Sequence, residues 1–235
     1  MSKGMFITAT GTEIGKTYVS GLLVKKLRNG GLNAGYYKPA LSGAERGGDG
    51  CLTAGDARHV CETAGLEENP NNLVSYIYET PVSPHLAARI DKFSTGPIEM
   101  DKLLSDFAEA KTRFDFLTVE GSGGIVCPLR ICEKDEKNIM LTDVIKAFGL
   151  PVLIVADAGL GTINASVLTA EYAKTRGISV KGFILNRYEQ GCFLHEDNKK
   201  QIEELTGAPV IACVPPGASD LAIALDELTR FYEEV

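Results

Sequence analysis

Residues 11–17 hold the types that point most directly to chemistry: they read Gly-Thr-Glu-Ile-Gly-Lys-Thr and directly follow an apolar run. A strand, a glycine-containing turn and a Lys-Thr pair that begins a helix are the usual context of a phosphate-binding loop, whose backbone N–H groups converge on a phosphate. In that context Lys16 reaches the outer phosphates and the Thr17 hydroxyl coordinates magnesium. The match is incomplete, because Thr10 stands where the strict pattern has its first glycine. The alternative is an ordinary strand-to-helix turn in which Gly15 only relieves crowding. We call residues 11–17 the phosphate loop.

Two carboxylates could complete a magnesium site beside this loop. Glu120 ends an apolar run and is followed by three glycines within four residues, while Asp56 stands at the start of a helical segment. Magnesium takes oxygen ligands and often keeps several waters, so we expect Thr17, Asp56 and Glu120 to share it with phosphate oxygens. The alternatives are a capping or salt-bridging role for Glu120 and a helix N-cap for Asp56.

Lys38 ends a predicted strand and precedes Pro39 and a loop that contains Gly43. This position favours a side chain that points into the same crevice as Lys16. A solvated surface lysine at a strand end has the same local pattern and is the alternative.

The candidate residues can form one site only if the fold places the ends of several strands close together. The chain alternates short β-branched runs with segments of helical period. Several runs are apolar throughout, as in parallel strands covered on both faces. The pattern predicts an α/β fold: one domain over residues 1–235 with a doubly wound, mostly parallel sheet, helices on both faces, and the phosphate-loop NTPase type. The predicted strands are 5–10, 34–38, 116–120, 152–157, 180–186 and 210–214; the predicted helices are 16–29, 54–64, 85–91, 98–113, 141–148, 163–176, 197–206 and 220–234. The irregular stretches 39–53 and 121–140 follow strand ends, where ligand-binding loops of such sheets lie.

Composition narrows the classes of function. A net charge of −7 argues against a nucleic-acid-binding surface, which would carry a basic stripe. No apolar run approaches the roughly 20 residues that span a bilayer, and the N-terminus has no signal-peptide pattern. The six cysteines show no spacing typical of a metal site. We therefore expect reduced thiols in a cytoplasmic protein that neither binds nucleic acid nor enters a membrane.

Six motifs together resemble the dethiobiotin synthetase family. They occur in the family's order across roughly residues 4 to 220, and the Tyr-Lys-Pro and Leu-Gly-Thr-Ile-Asn motifs make the resemblance far more specific than the phosphate loop alone. The motifs are Thr12-Glu13-Ile14-Gly15-Lys16-Thr17, Tyr37-Lys38-Pro39 with Ser42-Gly43, Ser83-Pro84-His85, Val119-Glu120-Gly121 with Gly123-Gly124, Leu160-Gly161-Thr162-Ile163-Asn164, and Asn186 at a strand end.

The resemblance implies a homodimeric, ATP- and Mg²⁺-dependent ligase that converts 7,8-diaminononanoate, CO2 and ATP to dethiobiotin, ADP and phosphate. In that family one substrate amine captures CO2 as a carbamate, ATP phosphorylates the carbamate, and the second amine displaces phosphate to close the ureido ring. A carbamate and a triphosphate are both anionic, so fixed positive charge and pre-aimed donors suit this chemistry.

The resemblance also assigns residues to roles. Asn186 matches the family's adenine-reading asparagine, and residues 161–164 match a turn that holds the substrate carboxylate, across the dimer interface; a plain helix cap is the alternative for Asn164. The catalytic candidates are Lys38, Lys16, Thr12 and Ser42. The ATP-binding candidates are Thr12, Glu13, Ile14, Gly15, Lys16, Thr17, Tyr18, Asp56, Glu120, Gly121, Gly123, Gly124, Asn186, Pro215 and Pro216, and the substrate-binding candidates are Ser42, Pro81, Ser83, Gly121, Gly161, Thr162, Ile163 and Asn164.

The chain departs from the family pattern at several positions, among them Ala9 and Thr10, which replace a more usual Gly-Thr start. Gly11 stands where an aspartate is usual, and Gly159 stands where a basic residue is common. Asp157 adds a negative charge that could repel the substrate carboxylate. These departures put substrate affinity, rather than the phosphoryl chemistry, in question.

Two other functions compete with the ligase. A nucleotide-driven switch that controls dimerisation and partner binding usually has a second lysine near the start of its phosphate loop, where this chain has residues 10–14 without one. A glutamine-dependent amide-forming enzyme of the cobyrinate synthase type needs an amidotransferase domain, for which 235 residues leave no room. Phosphate release that depends on diaminononanoate and bicarbonate would distinguish the ligase from both.

Overall fold

The computed structural model describes residues 2–48, 50–91, 96–132 and 137–235, and its main feature is a sheet in the order β11-β10-β9-β1-β6-β2-β5. All neighbouring strands along this path are parallel. In chain order the strands are β1 (Lys3–Ala9), β2 (Ala34–Ser42), β3 (Glu45–Arg46), β4 (Leu52–Thr53), β5 (Val74–Tyr78), β6 (Phe116–Glu120), β7 (Pro128–Arg130), β8 (Ile139–Met140), β9 (Val152–Asp157), β10 (Val180–Asn186), β11 (Val210–Val214) and β12 (Glu233–Glu234).

Helices cover both faces of the sheet, which confirms the predicted doubly wound class. In β1, Phe6 belongs to one buried apolar cluster, while Met5 and Ile7 belong to a second cluster on the opposite face. The helices are α1 (Lys16–Asn29), α2 (Gly55–Ala64), α3 (Pro84–Ile90), α4 (Met100–Arg113), α5 (Leu141–Phe148), α6 (Thr162–Thr175), α7 (Phe193–Thr206) and α8 (Leu225–Thr229), with a 3-10 turn at Pro70–Leu73. None of the helices in the described segments is both long and apolar enough to cross a membrane.

The predicted helix over 220–234 is wrong. Leu221 and Ile223 are buried while their neighbours Ala222 and Ala224 are exposed, a period of two that an extended chain produces. The helix there covers only Leu225–Thr229, and β12 then pairs antiparallel with the first residues of β1. Because β9 pairs with β1 only from Phe6 onward, the start of β1 has an open edge that β12 fills.

Strand β2 is longer than predicted and changes partner along its length. Its first residues pair with β6 up to Tyr37, and from Lys38 onward it pairs with β5. Lys38 therefore lies in the middle of a strand, and its predicted place at a strand end is wrong. Since β6 ends at Glu120, Lys38 still lies beside an open strand end.

The two stretches predicted to be irregular contain short antiparallel hairpins. Beyond the end of β2, the stretch 39–53 forms the β3–β4 pair, and the stretch 121–140 forms the β7–β8 pair. Residues 49 and 133–136 within them lie outside the described residues. The two hairpins follow the carboxyl ends of β2 and β6. The phosphate loop follows the carboxyl end of β1, so all three lie at the same end of the parallel strands.

Candidate active site

The phosphate loop leaves β1 and enters α1 through a left-handed glycine. Gly15 has φ 97° and is the N-cap residue of α1. A Cβ atom at this position would overlap the side-chain amide of Asn186. Both the backbone angle and the close approach of Asn186 therefore require glycine here, and Lys16 follows as the first helical residue.

The Lys16 side chain is buried in the phosphate loop and makes one long hydrogen bond there. Its Nζ atom donates to Gly11 O over 3.4 Å, the one hydrogen bond of this ammonium in the described part of the chain. Burial lowers the pKa of Lys16, and the Glu120 carboxylate partly opposes this effect. A buried cation with so little compensation favours an arriving anion such as a phosphate.

Glu120 and Lys38 form a buried ion pair beside Lys16. Lys38 Nζ lies 2.6 Å from Glu120 Oε1 and 2.7 Å from Asp56 Oδ2, and the Glu120 side chain has no exposed surface. Burial by itself would lower the pKa of Lys38, but the two carboxylates outweigh it and raise that pKa. Lys38 therefore keeps its proton at neutral pH.

Two hydroxyl groups complete the surroundings of Glu120. Thr17 Oγ1 donates to Glu120 Oε1 over 2.8 Å, and Tyr36 OH donates to Glu120 Oε2 over 2.9 Å. Burial opposes ionisation of Asp56, yet Lys38 overcomes it and lowers the pKa of Asp56. Thr17, Asp56 and Glu120, the three predicted metal ligands, thus bring one hydroxyl and two carboxyl groups together around Lys38.

The contacts of Asp56, Glu120 and Lys38 bear on the alternative roles of these residues. Asp56 is not an N-cap, since Ala54 holds that position in α2, and Asp56 instead pairs with Lys38. Glu120 does form a salt bridge, as its alternative proposed, but at a fully buried site next to the phosphate loop. Lys38 is buried rather than solvated.

Two adjoining cavities open from this cluster. The central cavity has a volume of about 330 Å³. The flanking cavity has a volume of about 480 Å³ and shares five lining residues with the central one. The central cavity is lined by Thr12, Glu13, Gly15, Lys16, Thr17, Lys38, Ala40, Ser42, Asp56, Glu120, Ser122 and Gly123. The flanking cavity adds Pro81, Val82, Ser83, Pro84, Gly124, Val126, Cys127 and Pro128.

The four catalytic candidates thus line the central cavity. The residues expected around the adenine base of ATP lie outside both cavities. Asn186 is buried, and its Nδ2 atom donates to Ile14 O over 2.8 Å. Pro215 and Pro216 are exposed after the end of β11. Tyr18 OH donates to Ala218 O and so connects α1 with the same segment.

The turn before α6 also lies outside both cavities of its own chain. Gly161 has φ 89° and is the N-cap residue of α6, so the cap alternative for Asn164 is wrong. Asn164 is exposed, and Leu160 beside the turn exposes 92% of its surface. Thr162 Oγ1 is buried and has no hydrogen-bond partner among the described residues.

Sequence reasoning missed three side chains of this region. Tyr36 holds Glu120, and Ser122 lines both cavities while its Oγ atom donates to Ala40 O over 2.6 Å. Arg187 forms an ion pair with Asp157 at 2.6 Å. That pair compensates part of the charge of Asp157, which weakens the repulsion expected between Asp157 and a substrate carboxylate. The one local signal was that Arg187 directly follows Asn186 at a strand end.

Comparisons with known proteins show which family this chain resembles along its length. A family model described as "AAA domain" matches residues 3–219. The protein named ATP-dependent dethiobiotin synthetase BioD of Clostridium botulinum (strain 657 / Type Ba4) is 48% identical over 235 residues, which are 100% of both chains. The protein of the same name from Clostridium botulinum (strain Okra / Type B1) is also 48% identical over 100% of both chains.

Solved structures of low sequence identity show the same fold. The MinC:MinD cell division protein complex of Aquifex aeolicus gives a TM-score of 0.55 at 16% identity, covering 98% of this chain and 86% of that chain. A ParA family ATPase from Chlorobium tepidum TLS gives a TM-score of 0.55 at 12% identity, covering 97% of this chain and 88% of that chain. These similarities concern the fold alone.

Proposed function

The chain belongs to the ATP-dependent dethiobiotin synthetase family, and we propose that it forms dethiobiotin from 7,8-diaminononanoate, CO2 and MgATP in the two cavities described above. It is an ATP-dependent ligase of biotin biosynthesis. The observation that carries the assignment of the site is the convergence of Lys16, Lys38, Thr17, Asp56 and Glu120 on the central cavity.

The lysines supply the positive charge that this chemistry needs. Lys16 and the N-terminus of α1 hold the phosphates of ATP. One amine of the substrate attacks CO2 and loses a proton to give a carbamate. A carbamate oxygen then attacks the γ-phosphorus, and ADP leaves. The second amine attacks the carbonyl carbon and loses a proton to solvent, phosphate leaves, and the ureido ring is closed. Lys38 lies where it can face both carbamate and transferred phosphoryl group, while Thr12 and Ser42 donate hydrogen bonds to the developing charge.

The protein atoms at the centre of the site fit magnesium. A hydroxyl and two carboxylates are hard oxygen donors, and magnesium is usually held by one or two carboxylates together with substrate phosphates. We assign Thr17, Asp56 and Glu120 to this ion. When bound, it neutralises charge on the phosphates. In the free protein the Lys38 ammonium lies between Asp56 and Glu120, so the two proposed magnesium-binding carboxylates already attract a cation.

The flanking cavity suits the diamine, with Pro81 and Ser83 on its wall. We assign the substrate carboxylate to residues 161–164 of a partner subunit, since these residues line neither cavity of their own chain. A homodimer is further supported by exposed apolar residues on this side: Leu160 exposes 92%, Leu168 62% and Val126 58% of their surface. We expect this dimer in the cytoplasm, where Cys61, Cys127, Cys192 and Cys213 would stay reduced.

The function is tested by phosphate release with and without diaminononanoate plus bicarbonate, and by mass spectrometry of the organic product. The ligase releases phosphate in proportion to dethiobiotin and only when both substrates are present. Phosphate release that ignores the diamine would instead support the nucleotide-driven switch and contradict the ligase.

A further inference from the structure

One guanidinium connects the phosphate loop with two strand ends. Arg187 follows directly after β10, and its guanidinium donates to Asp157 Oδ2 over 2.6 Å and to Glu13 O over 2.8 Å. Asp157 is the last residue of β9, and its other carboxylate oxygen accepts from the N–H of Gly159 over 2.8 Å. The side chain of Arg187 therefore joins the ends of β9 and β10 to the loop that leaves β1.

The backbone at both ends of this contact is unusual. Within the described residues, Glu13 with φ 61° and Arg187 with φ 58° are the two non-glycine residues in the left-handed region. Such conformations are uncommon for residues with a Cβ atom and persist where the surrounding structure holds them, often at functional sites. Here the two residues are hydrogen bonded to each other. We infer that this hydrogen bond holds both residues in the left-handed conformation.

The neighbouring Asn186 makes a parallel contact, since its Nδ2 atom donates to Ile14 O over 2.8 Å. Asn186 at the end of β10 and the next residue, Arg187, thus donate hydrogen bonds to two consecutive carbonyl groups of the phosphate loop. In a planar trans peptide the N–H points away from the carbonyl. The N–H groups of Ile14 and Gly15 are consequently turned away from Asn186 and Arg187, as they are in loops that cradle anions.

We propose that Arg187 is a positioning residue of the phosphate loop, which together with Asn186 fixes the peptide groups of Glu13 and Ile14 in the orientation that binds the phosphates of ATP. This inference rests on the proposed ATP site. Preorganised donors bind more tightly because less freedom is lost on binding. An exposed ion pair such as Arg187–Asp157 contributes little to folding stability, so its effect is expected in nucleotide affinity.

The test compares Arg187→Ala and Arg187→Gly with the wild type and with Arg176→Ala as a control. Arg176 also forms an exposed ion pair, at 3.3 Å from Asp143, but lies at the end of α6. Isothermal titration calorimetry gives the Kd for MgADP, and thermal unfolding gives Tm. Both Arg187 variants should bind MgADP about tenfold more weakly, with Tm close to that of the control.

The glycine variant separates the guanidinium from the backbone. Glycine adopts a left-handed φ without steric cost, so a role of residue 187 through its backbone alone would leave Arg187→Gly with wild-type affinity. That result would overturn the proposal, and so would wild-type affinity in Arg187→Ala. In steady-state assays the ATP KM should rise while the KM for diaminononanoate stays constant.

Failure of the positioning role and failure of the proposed function give different results. A wild type that forms dethiobiotin while both Arg187 variants bind MgADP normally overturns the positioning role alone. A wild type that binds MgADP in an Arg187-dependent way without forming dethiobiotin contradicts the function and supports the positioning role. A wild type that does not bind MgADP overturns both.

Discussion

Replacement of Lys38 by methionine tests the central charge cluster, because methionine keeps the apolar stem and removes the ammonium. Glu120 would then be a fully buried carboxylate without a cation. Removal of one partner of a buried ion pair typically costs about 3–5 kcal/mol. Glu120 keeps its hydrogen bonds from Thr17 and Tyr36, and Asp56 can be hydrated because 38% of its side chain is exposed. We therefore expect the lower end of the range, about 3 kcal/mol.

Urea unfolding of the wild type and Lys38→Met measures this loss. With an m-value of about 3 kcal/mol/M the midpoint should fall by about 1 M. Lys26→Met is the matched control, because Lys26 forms a surface ion pair with Asp220 at 2.9 Å, and such pairs contribute less than about 1 kcal/mol.

A double variant separates the orphaned charge from a general packing defect. Glu120→Gln added to Lys38→Met removes the uncompensated carboxylate, so the double variant should be more stable than Lys38→Met alone. A loss below about 1 kcal/mol in Lys38→Met, or a double variant that is less stable than the single one, would refute the reasoning. In that case Lys38 would not be the group that keeps a charged Glu120 in the interior.

Four further outcomes are expected. Lys16→Ala should abolish dethiobiotin formation and leave the circular dichroism spectrum unchanged, because Lys16 lines a cavity; normal product formation would contradict the ATP-site assignment. Glu120→Gln should lower activity steeply and raise the magnesium concentration needed for half-maximal rate, whereas an unchanged magnesium dependence would make Glu120 structural. Asn164→Ala should raise the KM for diaminononanoate far more than the ATP KM, and its mixture with Lys16→Ala chains should recover activity through heterodimers; no recovery, with subunit exchange demonstrated by mass spectrometry, would place each site within one chain. Burial opposes ionisation of Asp91, but hydrogen bonds from Thr80 and Glu79 outweigh it and lower the pKa of Asp91. The stability that Asp91 contributes should therefore be present at neutral pH and be lost as pH falls through its lowered pKa, so urea midpoints of wild type and Asp91→Ala should converge at acid pH; a constant gap would contradict this.

Local sequence patterns predicted the parts of the fold that depend on local chemistry. The apolar runs of β6, β9, β10 and β11 gave the strand bounds that the structure has, because strands buried on both faces contain almost nothing else. Strand β5 was missed, and so was the second half of β2 with which it pairs, because the predicted β2 ended at Lys38. The period of two in residues 221–224 was masked by a composition that also suits a helix.

In the candidate site, too, local spacing predicted some residues, while contacts between residues distant in sequence were not predicted. Glycine, lysine and threonine of the phosphate loop follow one another in sequence, so their spacing alone predicted their role. The contacts of Glu120 with Lys38 and Tyr36 join residues more than 80 positions apart, and no local pattern encodes the hydrogen bond of Tyr36. Arg187 was missed for the same reason, because its partner Glu13 belongs to the phosphate loop after β1, which only the sheet order brings near the end of β10.

The charges of the cluster limit what Lys38 can do in the reaction. In the free protein its pKa is raised by two carboxylates, so before any ligand binds it holds its proton at neutral pH and is not a base for an amine. A fixed positive charge is instead what the meeting of a carbamate with a triphosphate requires, because it offsets the repulsion between them without a proton transfer. Lys38 is also the cation that compensates Glu120 before any ligand binds. Magnesium at Thr17, Asp56 and Glu120 would take over that compensation, and the ammonium would then be available to the anionic reactants. Under the proposed function, the side chain that compensates Glu120 in the free protein would thus stabilise charge in the reaction once magnesium is bound.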